Sequence, residues 1–382
     1  MVLYGRGYRF GLANGRPDIS GTGILVAKSN PNGASVFVDG HLTTATDNTI
    51  NLAPGTYDVK IEKEGYFPWE KIIKVQKEVV SNADALLFPN APRLESITDI
   101  GVSSPTVDPS LSKIAYLVSS QSAKKNGIYV LDMTSRPILT LESNSTQIID
   151  DTTDTFSQAT LAWSPDGTQI LATVKNTTYL LSANGFNNTP KDVTETLAGI
   201  ESSWEKAKLD KDTARLGGLK QVLAQIIAED MKPVAWSADD TKLLYTASKS
   251  ANLPFVITPR LIGTDSTPEA RQIKEGQTYV YDTFEDKNYK IDTKDVVITP
   301  PSSILDQVNH NLLWLSDSKH LLFVHNNRIE IMEYDGSNAT TIYAGPFLDH
   351  YVFPWQDASK VVILTTLGNT DISPNLYTID LK

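Results

Sequence analysis

Residues Trp163–Ala172 read WSPDGTQILA, and this stretch decides the fold of most of the chain. Pro, Asp and Gly in succession are typical of a tight turn, in which Asp accepts backbone N–H bonds and Gly adopts a positive φ. The apolar residues on both sides of the turn predict the two strands of a β-hairpin. Related stretches recur elsewhere, which is typical of a repeat architecture. They are Val107–Tyr116, Trp236–Tyr245, Trp314–Phe323 and Pro354–Ile363.

A third apolar strand follows each of these hairpins. The predicted third strands are Ile128–Asp132, Thr178–Ser182, Thr278–Asp282, Ile329–Glu333 and Leu376–Asp380. An outer fourth strand, such as Ile138–Leu141 or Tyr289–Ile291, would complete a propeller blade, because radial repetition leaves only short exposed edges. The sequence therefore predicts a five-bladed β-propeller over residues 93–382, and we expect Arg93–Thr98 to close its ring. We assign Trp163, Trp236 and Trp314 to the packing of the blades, with a functional role as the alternative.

Residues 23–89 carry a different β pattern, in which apolar and polar residues alternate along short runs. The predicted strands are Gly23–Lys28, Ala34–Val38, Thr49–Leu52, Thr56–Glu62 and Glu70–Val75. Turns that contain Gly or Pro separate them. The pattern predicts a small antiparallel β-sandwich, so the fold class of the whole chain is all-β. A sandwich of this size is typical of a spacer or adhesive module.

Two stretches interrupt the propeller pattern. Residues 199–231 place apolar side chains at helical spacing and predict a helical insertion between the second and third blades. Residues 253–277 contain three prolines and predict a long loop inside the third blade. Long loops on a rigid scaffold often carry function, so Trp204, Glu201 and Glu205 are candidate binding residues. The alternative is structural: an apolar stripe usually packs on the scaffold, and acidic residues among lysines usually form an exposed face.

The composition argues against several classes of function. A net charge of −11 disfavours nucleic acid as a partner, because its binding requires clustered Lys and Arg. The chain has no Cys, and its five His show no spacing typical of zinc ligands. No Gly-x-Ser-x-Gly motif of a serine hydrolase is present. We therefore predict no catalytic residue, no metal site and no cofactor, and a protein that is not an enzyme.

The first residues form a segment, 1–22, that precedes the sandwich. They begin MVLYGRGYRF, and aromatic residues with arginines are typical of the flank of a membrane-spanning helix. A polar chain terminus is an equal alternative. An apolar run of about 18 residues, which would predict a membrane-spanning helix, does not occur in the sequence.

The sandwich resembles the PEGA domain. The four-residue signature of that domain is PNGA at Pro31–Ala34 here, with Asn in place of Glu. The further matching stretches, in the same order, are Val36–Gly40, Leu52–Tyr57 and Glu64–Tyr66. The element WSPDG at Trp163–Gly167 resembles the repeats of the periplasmic propeller protein of the Tol–Pal system and of related WD-type propellers. Such a repeat indicates architecture and says little about activity.

The chain as a whole resembles prokaryotic proteins in which one N-terminal transmembrane helix precedes a PEGA domain and a propeller. The resemblance implies a cell-envelope protein whose domains lie on the extracytoplasmic side of the membrane. It also implies that Val2–Phe10 is the outer end of a membrane span that is missing from this sequence.

Architecture and the missing catalytic motifs favour one functional hypothesis. The protein would be a non-enzymatic binding or scaffolding protein of the envelope, and the loop face of its propeller would engage a protein or a cell-wall glycan. One alternative is an envelope carbohydrate-active enzyme, which needs two carboxylates on its loops around one cleft. The other is a structural component of a surface lattice, which needs contacts that repeat without closing.

Overall fold

The computed structural model describes residues 8–13, 16–134, 145–294, 296–299, 311–348 and 351–382. Its first two strands, β1 (Tyr8–Ala13) and β2 (Arg16–Gly21), pair as a two-stranded antiparallel sheet. Most of the predicted membrane-flanking segment, up to residue 7, lies outside the described residues. None of the helices within the described ranges combines the length and the apolar character that a membrane span requires.

Residues 23–89 form a β-sandwich of two layers. Its strands are β3 (Gly23–Asn30), β4 (Ser35–Val38), β5 (His41–Ala45), β6 (Asn48–Leu52), β7 (Gly55–Glu62), β8 (Trp69–Val75) and β9 (Val80–Leu86). One layer has the order β6-β3-β9 and the other has the order β5-β4-β7-β8. Neighbouring strands are antiparallel except β3 and β9, which are parallel. This parallel pair joins the first and last strands of the sandwich, a long-range contact that local alternation does not encode.

The core of the sandwich follows the alternation of its strands. On β3, Leu25 and Ala27 point into the core. On β9 the buried positions hold only the small residues Ser81, Ala83 and Ala85. Small side chains bury little apolar area, so the position of β9 depends mainly on its pairing with β3.

Residues 94–380 form five four-stranded sheets, one of which includes the short strand β10 (Leu94–Ser96) at the start of this region. Blade 1 contains β11 (Ser103–Val107), β12 (Lys113–Val118), β13 (Gly127–Asp132) and β14 (Ser145–Asp150). Blade 2 contains β15 (Thr160–Trp163), β16 (Gln169–Val174), β17 (Thr177–Ser182) and β18 (Lys191–Asp192). The predicted outer strand Ile138–Leu141 lies outside the described residues. Short 3-10 turns cover Phe156–Gln158 and Thr194–Thr196.

The later blades repeat this order of strands. Blade 3 contains β19 (Met231–Trp236), β20 (Lys242–Ala247), β23 (Thr278–Asp282) and β24 (Lys287–Lys290), with the small pair β21 (Ala251–Asn252) and β22 (Gln272–Ile273) inserted. Blade 4 contains β25 (Leu312–Trp314), β26 (His320–His325), β27 (Arg328–Glu333) and β28 (Thr340–Ala344). Blade 5 contains β29 (Val352–Pro354), β30 (Lys360–Thr365) and β31 (Asn375–Asp380).

Strand β10 completes blade 5 as its fourth strand. It pairs antiparallel with β31, and Leu94 lies opposite Ile379. The predicted closure of the ring is therefore confirmed. Hydrogen bonds between the beginning and the end of the propeller hold the ring together, which leaves no blade without its outer strand.

The turns between the first and second strands share one backbone hydrogen bond in all five blades, and an Asp at the third turn position adds side-chain bonds in blades 2 to 5. In blade 2, Ser164 N donates to Gln169 O at 2.9 Å, and Asp166 Oδ1 accepts from Thr168 N at 3.0 Å. The fourth residue of each turn has a positive φ between 53° and 66°; these residues are Leu111, Gly167, Asp240, Ser318 and Ala358. Because strands alternate in direction, these turns and the third-to-fourth turns lie on one face of the ring, which we call the turn face.

The helical insertion consists of α1 (Leu197–Gly217) and α2 (Gln221–Asp230). Two consecutive glycines end α1, and the N–H of Gly218 bonds the carbonyls of the last turn. Between blades 2 and 3, the apolar residues form two separate clusters. Trp204 of α1 packs on Leu171 of blade 2, whereas Leu223 of α2 packs on Tyr245 of blade 3. The helices thus lie between the two sheets.

The other four junctions between blades each have one apolar cluster that both sheets share. At two of them a tryptophan also donates to a carbonyl of the preceding blade: Trp163 Nε1 to Thr106 O at 3.1 Å, and Trp314 Nε1 to Ala235 O at 3.3 Å. Trp236 is only half-buried, and its ring faces the guanidinium of Arg215 of α1 at 6.0 Å. The insertion changes this contact because a helix occupies the place of the preceding sheet.

Candidate binding site between the sandwich and the propeller

Strand β8 of the sandwich lies against the turn face of blades 3 and 4. Because β8 is the edge of its layer, alternate N–H groups point away from the layer. Glu70 N donates to Asn338 Oδ1 at 2.9 Å. Lys74 N donates to Ser266 Oγ at 2.9 Å. Side chains of the propeller therefore cap an edge that would otherwise be free to pair with another strand.

Lys71 lies between these two residues on β8, and three carboxylates of the propeller surround it. Its Nζ is 2.9 Å from Asp265 Oδ2, 2.9 Å from Glu333 Oε2 and 2.6 Å from Asp335 Oδ2. Burial alone would lower the pKa of Lys71, but the carboxylates raise it well above its ordinary value. Burial likewise raises the pKa of Asp335, yet Lys71 outweighs this and holds it below its ordinary value. A nearly buried ion cluster thus joins the two domains.

Aromatic side chains of the sandwich extend the contact. Trp69 Nε1 donates to Glu333 Oε1 next to the ion cluster. Phe88, at the end of the sandwich, is buried in the apolar cluster of blades 4 and 5 and meets the ring of His320 edge-on at 5.7 Å. An ion pair between Asp84 and the Lys319 side chain lies on the outside. The contact combines apolar packing with charge, and it extends from β8 to the end of β9.

The long loop of blade 3, residues 253–271, reaches the same contact. It runs along the outer strand of its blade, where Ala270 N donates to Asn288 O at 2.6 Å. The buried carboxylate of Asp286 fixes it, since its oxygens lie 2.8 Å from Arg260 Nη1 and 2.9 Å from Arg271 Nη2. The middle of the loop contributes two of the residues that contact β8. A loop that the sequence marks only by its prolines thereby becomes part of the contact between the domains.

A cleft of about 620 Å³ is open beside this contact. Strands β3, β8 and β9 line it on one side, and the turns of blades 3 and 4 line it on the other. The charged lining residues are Lys28, Lys71, Lys242, Lys319, Asp84, Asp239, Asp265, Asp282, Glu285 and Glu333. Lys71 is neutralised as described, Lys319 pairs with Asp84, and Lys242 Nζ lies 3.9 Å from Asp282 Oδ2. The cleft is polar, and its carboxylates outnumber its lysines.

Phe284 stands at this cleft, in the third-to-fourth turn of blade 3. The residue is 72% exposed and lines the cleft. Hydrogen bonds hold the turn, because Phe284 N and Glu285 N both donate to Asp282 Oδ1 at 2.9 Å. An exposed aromatic ring beside a polar cleft is the kind of group that a partner buries.

The carboxyl groups of the cleft lie in contrasting environments. Burial raises the pKa of Asp282 and of Glu285 above their ordinary values. Partial burial also acts on Asp239, but hydrogen bonds from Ser237 and Thr241 outweigh it and lower the pKa of that group. General acid–base catalysis uses such a pair, in which one carboxyl group has a raised pKa and the other has a lowered pKa within one cleft. Within the described ranges, no group of three His, Asp or Glu side chains is arranged to hold a metal.

The three residues that the sequence singled out for binding lie elsewhere. Trp204 is buried against Leu171 and Val193 of blade 2. Glu201 is half-buried and Glu205 is exposed on the same helix, and none of the three lines the cleft. They are therefore not part of this cleft, and a binding role for them stays a prediction.

Local sequence patterns do not predict the residues of the cleft, for a physical reason. Lys71 and Asp335 are far apart in the chain, and no local pattern relates a lysine on a sandwich strand to a turn in blade 4. Two signals did point to the region. The turn residue Asp239 belongs to the repeated hairpin, and the long loop with Asp265 interrupts the repeat.

Comparisons with known proteins bear on the two parts of the chain separately. Residues 22–89 match the model of the PEGA domain. No protein of the curated set matches the sequence. The match to PEGA agrees with the sandwich topology and with the PNGA motif at Pro31–Ala34.

Among solved structures, the chain is similar to TolB from Acinetobacter baumannii, with 15% identity and a TM-score of 0.23 over 85% of this chain. It spans only 60% of that protein. It is also similar to the putative TolB from Agrobacterium tumefaciens, with 13% identity and a TM-score of 0.25, over 76% of this chain and 86% of that one. The propeller assignment rests on the five four-stranded sheets and their closed ring. Residues 22–89 are therefore a PEGA domain, and in this chain a five-bladed β-propeller follows it.

Proposed function

We propose that the protein is a non-enzymatic binding or scaffolding protein of the cell envelope, which engages a protein or glycan partner on the turn face of its propeller. The observation that carries the proposal is the fixed contact around Lys71, with an open cleft beside it. Domains that only a linker joins move relative to each other, whereas buried charge and apolar packing favour one composite surface. A composite surface suits binding.

The location in the envelope rests on the PEGA domain and on the resemblance to prokaryotic PEGA-plus-propeller proteins. In that arrangement the N-terminal segment leads to a membrane span, which would place both domains on the extracytoplasmic side. The net charge of −11 speaks against nucleic acid as the partner. A protein or a cell-wall glycan is compatible with this charge.

Co-sedimentation with isolated cell-wall polymer, together with capture from an envelope extract, tests the proposal. We expect either that the polymer binds the chain saturably or that the chain captures one envelope protein. We expect Phe284→Ala to weaken this binding. The matched control is Phe186→Ala, because Phe186 is 46% exposed in the equivalent turn of blade 2, away from the cleft. A binding site at the cleft would be contradicted in two cases. In the first, the chain binds neither the cell-wall polymer nor an envelope protein. In the second, Phe284→Ala and Phe186→Ala weaken binding equally.

The contrasting carboxyl groups favour a second candidate, a carbohydrate-active enzyme of the envelope. Glu285, with its raised pKa, would act as the acid, and Asp239 would stay ionised. Each of these carboxylates also accepts a backbone N–H, Glu285 from Asp265 of the long loop and Asp239 from Thr241 of its own turn, which fits a purely structural role. Turnover of cell-wall glycan that Glu285→Gln and Asp239→Asn both abolish would establish the enzyme. The binding proposal expects no turnover by the unaltered protein.

A further inference from the structure

The outer edge of β9 points to the kind of partner that the cleft takes. Among the described residues β9 pairs with β3 alone, so β9 is the edge strand of its layer. Four consecutive residues from the middle of β9, from Ser81 to Asp84, line the cleft. An unpaired strand edge therefore faces the open space between the sandwich and the propeller.

The register of the β3–β9 pair shows which groups are free. Leu87 N donates to Asn30 O at 2.9 Å, and Val79 O accepts an N–H of β3 at 3.0 Å. Because strand residues alternate with a period of two, the odd-numbered residues of β9 turn their N–H and C=O groups toward β3. The backbone groups of Asn82 and Asp84 consequently point away from β3, along the cleft.

The edge strands β8 and β9, which both lie on the propeller side of the sandwich, differ in whether the propeller caps their outward N–H groups. Propeller side chains cap β8 at the N–H groups of Glu70 and Lys74. For the backbone N–H groups of Asn82 and Asp84, the described part of the chain supplies no equivalent cap. An open strand edge is normally covered or shortened, since it attracts other strands. Because the uncapped edge of β9 lies inside the cleft, a partner that enters the cleft can pair with it.

We propose that the cleft binds an extended peptide segment of a protein partner, which adds a strand to the outer edge of β9. This inference rests on the proposed function and narrows its partner to a protein. Main-chain hydrogen bonds to Asn82 and Asp84 supply affinity, and alternate side chains of the peptide supply specificity. The excess of carboxylates in the lining selects Lys or Arg in the peptide, and Phe284 selects an apolar side chain.

Other occupants fit the edge less well. A glycan lacks the regular alternation of N–H and C=O groups that a strand edge recognises. A second copy of the chain also carries a net charge of −11, which opposes its approach to an acidic cleft. The test below also detects binding of a glycan or of a second copy of the chain.

The test uses the full chain and a random-peptide library displayed on phage. Selected peptides are synthesised, and their dissociation constants are measured with the unaltered chain, Asn82→Pro and Asn82→Ala. Proline removes the outward N–H, and an edge strand tolerates it at such a position. We expect Asn82→Pro to weaken binding by about tenfold or more, because one main-chain bond is lost and its partner is left unpaired. Asn82→Ala keeps the N–H, and we expect a loss of less than about threefold.

A second measurement does not depend on the folding of the proline variant. Peptides N-methylated at one set of alternate residues should lose binding, and those methylated at the other set should keep it, because only one set faces β9. The inference is overturned if both sets bind equally, if Asn82→Pro binds as well as Asn82→Ala, or if only soluble cell-wall glycan or a second copy of the chain binds. Those results would overturn strand addition at β9 and leave the proposed binding function standing, whereas failure of all retention on envelope material would remove the proposed function itself.

Discussion

Lys71 is the residue on which the contact between the PEGA domain and the propeller depends most. Lys71→Met would leave Asp265, Glu333 and Asp335 facing one another without a cation in a nearly buried site. Removing one partner of a buried ion pair typically costs about 3–5 kcal/mol of the free energy of unfolding. We expect a loss of this size, measured by denaturant unfolding at neutral pH.

The matched control for this variant is Lys60→Met on the neighbouring strand β7. Lys60 pairs with Glu62 on an exposed surface, where solvent screens the charges, so we expect little change in stability. Equal stability of the two variants would show that the carboxylates around Lys71 do not need its charge. At this scale the sequence predicts the turn carboxylates such as Asp166, because their partners are two residues away. It does not predict Lys71, whose partners are nearly two hundred positions or more along the chain.

Among the elements, α1 and α2 replace direct packing between blades 2 and 3. Trp204 is the buried anchor of α1, so Trp204→Ala should cost about 3–5 kcal/mol of stability. Leu209→Ala is the control on the same helix, since Leu209 is 65% exposed and its loss should stay within about 0.5 kcal/mol. Denaturant unfolding of the two variants measures the difference. A Trp204→Ala variant that stays stable but loses a partner would instead support the binding role that the sequence suggested.

The strands show what a sequence pattern can predict. The second and third strands of every blade are apolar runs beside a recognisable turn, and the structure places strands at each predicted third-strand position. Strand β9 was not predicted, because its buried positions hold Ser81, Ala83 and Ala85 rather than large apolar residues. Strand β5 was not predicted either, since its side chains are largely exposed and polar. Strand β9 exists because it pairs with the distant β3, and β5 forms a hairpin with the adjacent β4; local alternation shows neither pairing.

For the molecule as a whole, the sequence predicts two domains but not their contact. The repeat predicts the propeller. It also predicts closure by Arg93–Thr98, because the last blade has only three strands of its own and this segment precedes the first blade. The orientation of the PEGA domain depends on buried charges, on Phe88 in the core of blades 4 and 5, and on the loop of blade 3. These contacts join residues that share no local pattern, so the cleft appears only in three dimensions.

The contact between the domains should respond to pH through Asp335 and Lys71. The folded pKa of Asp335 lies below its ordinary value of 3.8, so its contribution to stability is present above that pH and is lost as the pH falls through the lower folded value. The folded pKa of Lys71 lies above its ordinary 10.5, so its contribution is complete below pH 10.5 and declines only at a higher pH. The ion cluster around Lys71 is therefore expected to be insensitive to pH near neutrality.

Asp335→Asn separates the loss of stability that protonation of Asp335 causes at low pH from the acid unfolding of the rest of the chain. We expect the variant to melt at a lower temperature than the unaltered chain at neutral pH, because the charge beside Lys71 is lost. The difference should shrink as the pH falls toward about 2, since the unaltered carboxyl is then protonated as well. Calorimetric melting at several pH values measures it, with the exposed Asp210→Asn as a control that should show little difference at any pH. A melting difference for Asp335→Asn that stays constant with pH would mean that the side chain acts through its hydrogen bonds to Ser337 and Thr267 rather than through its charge.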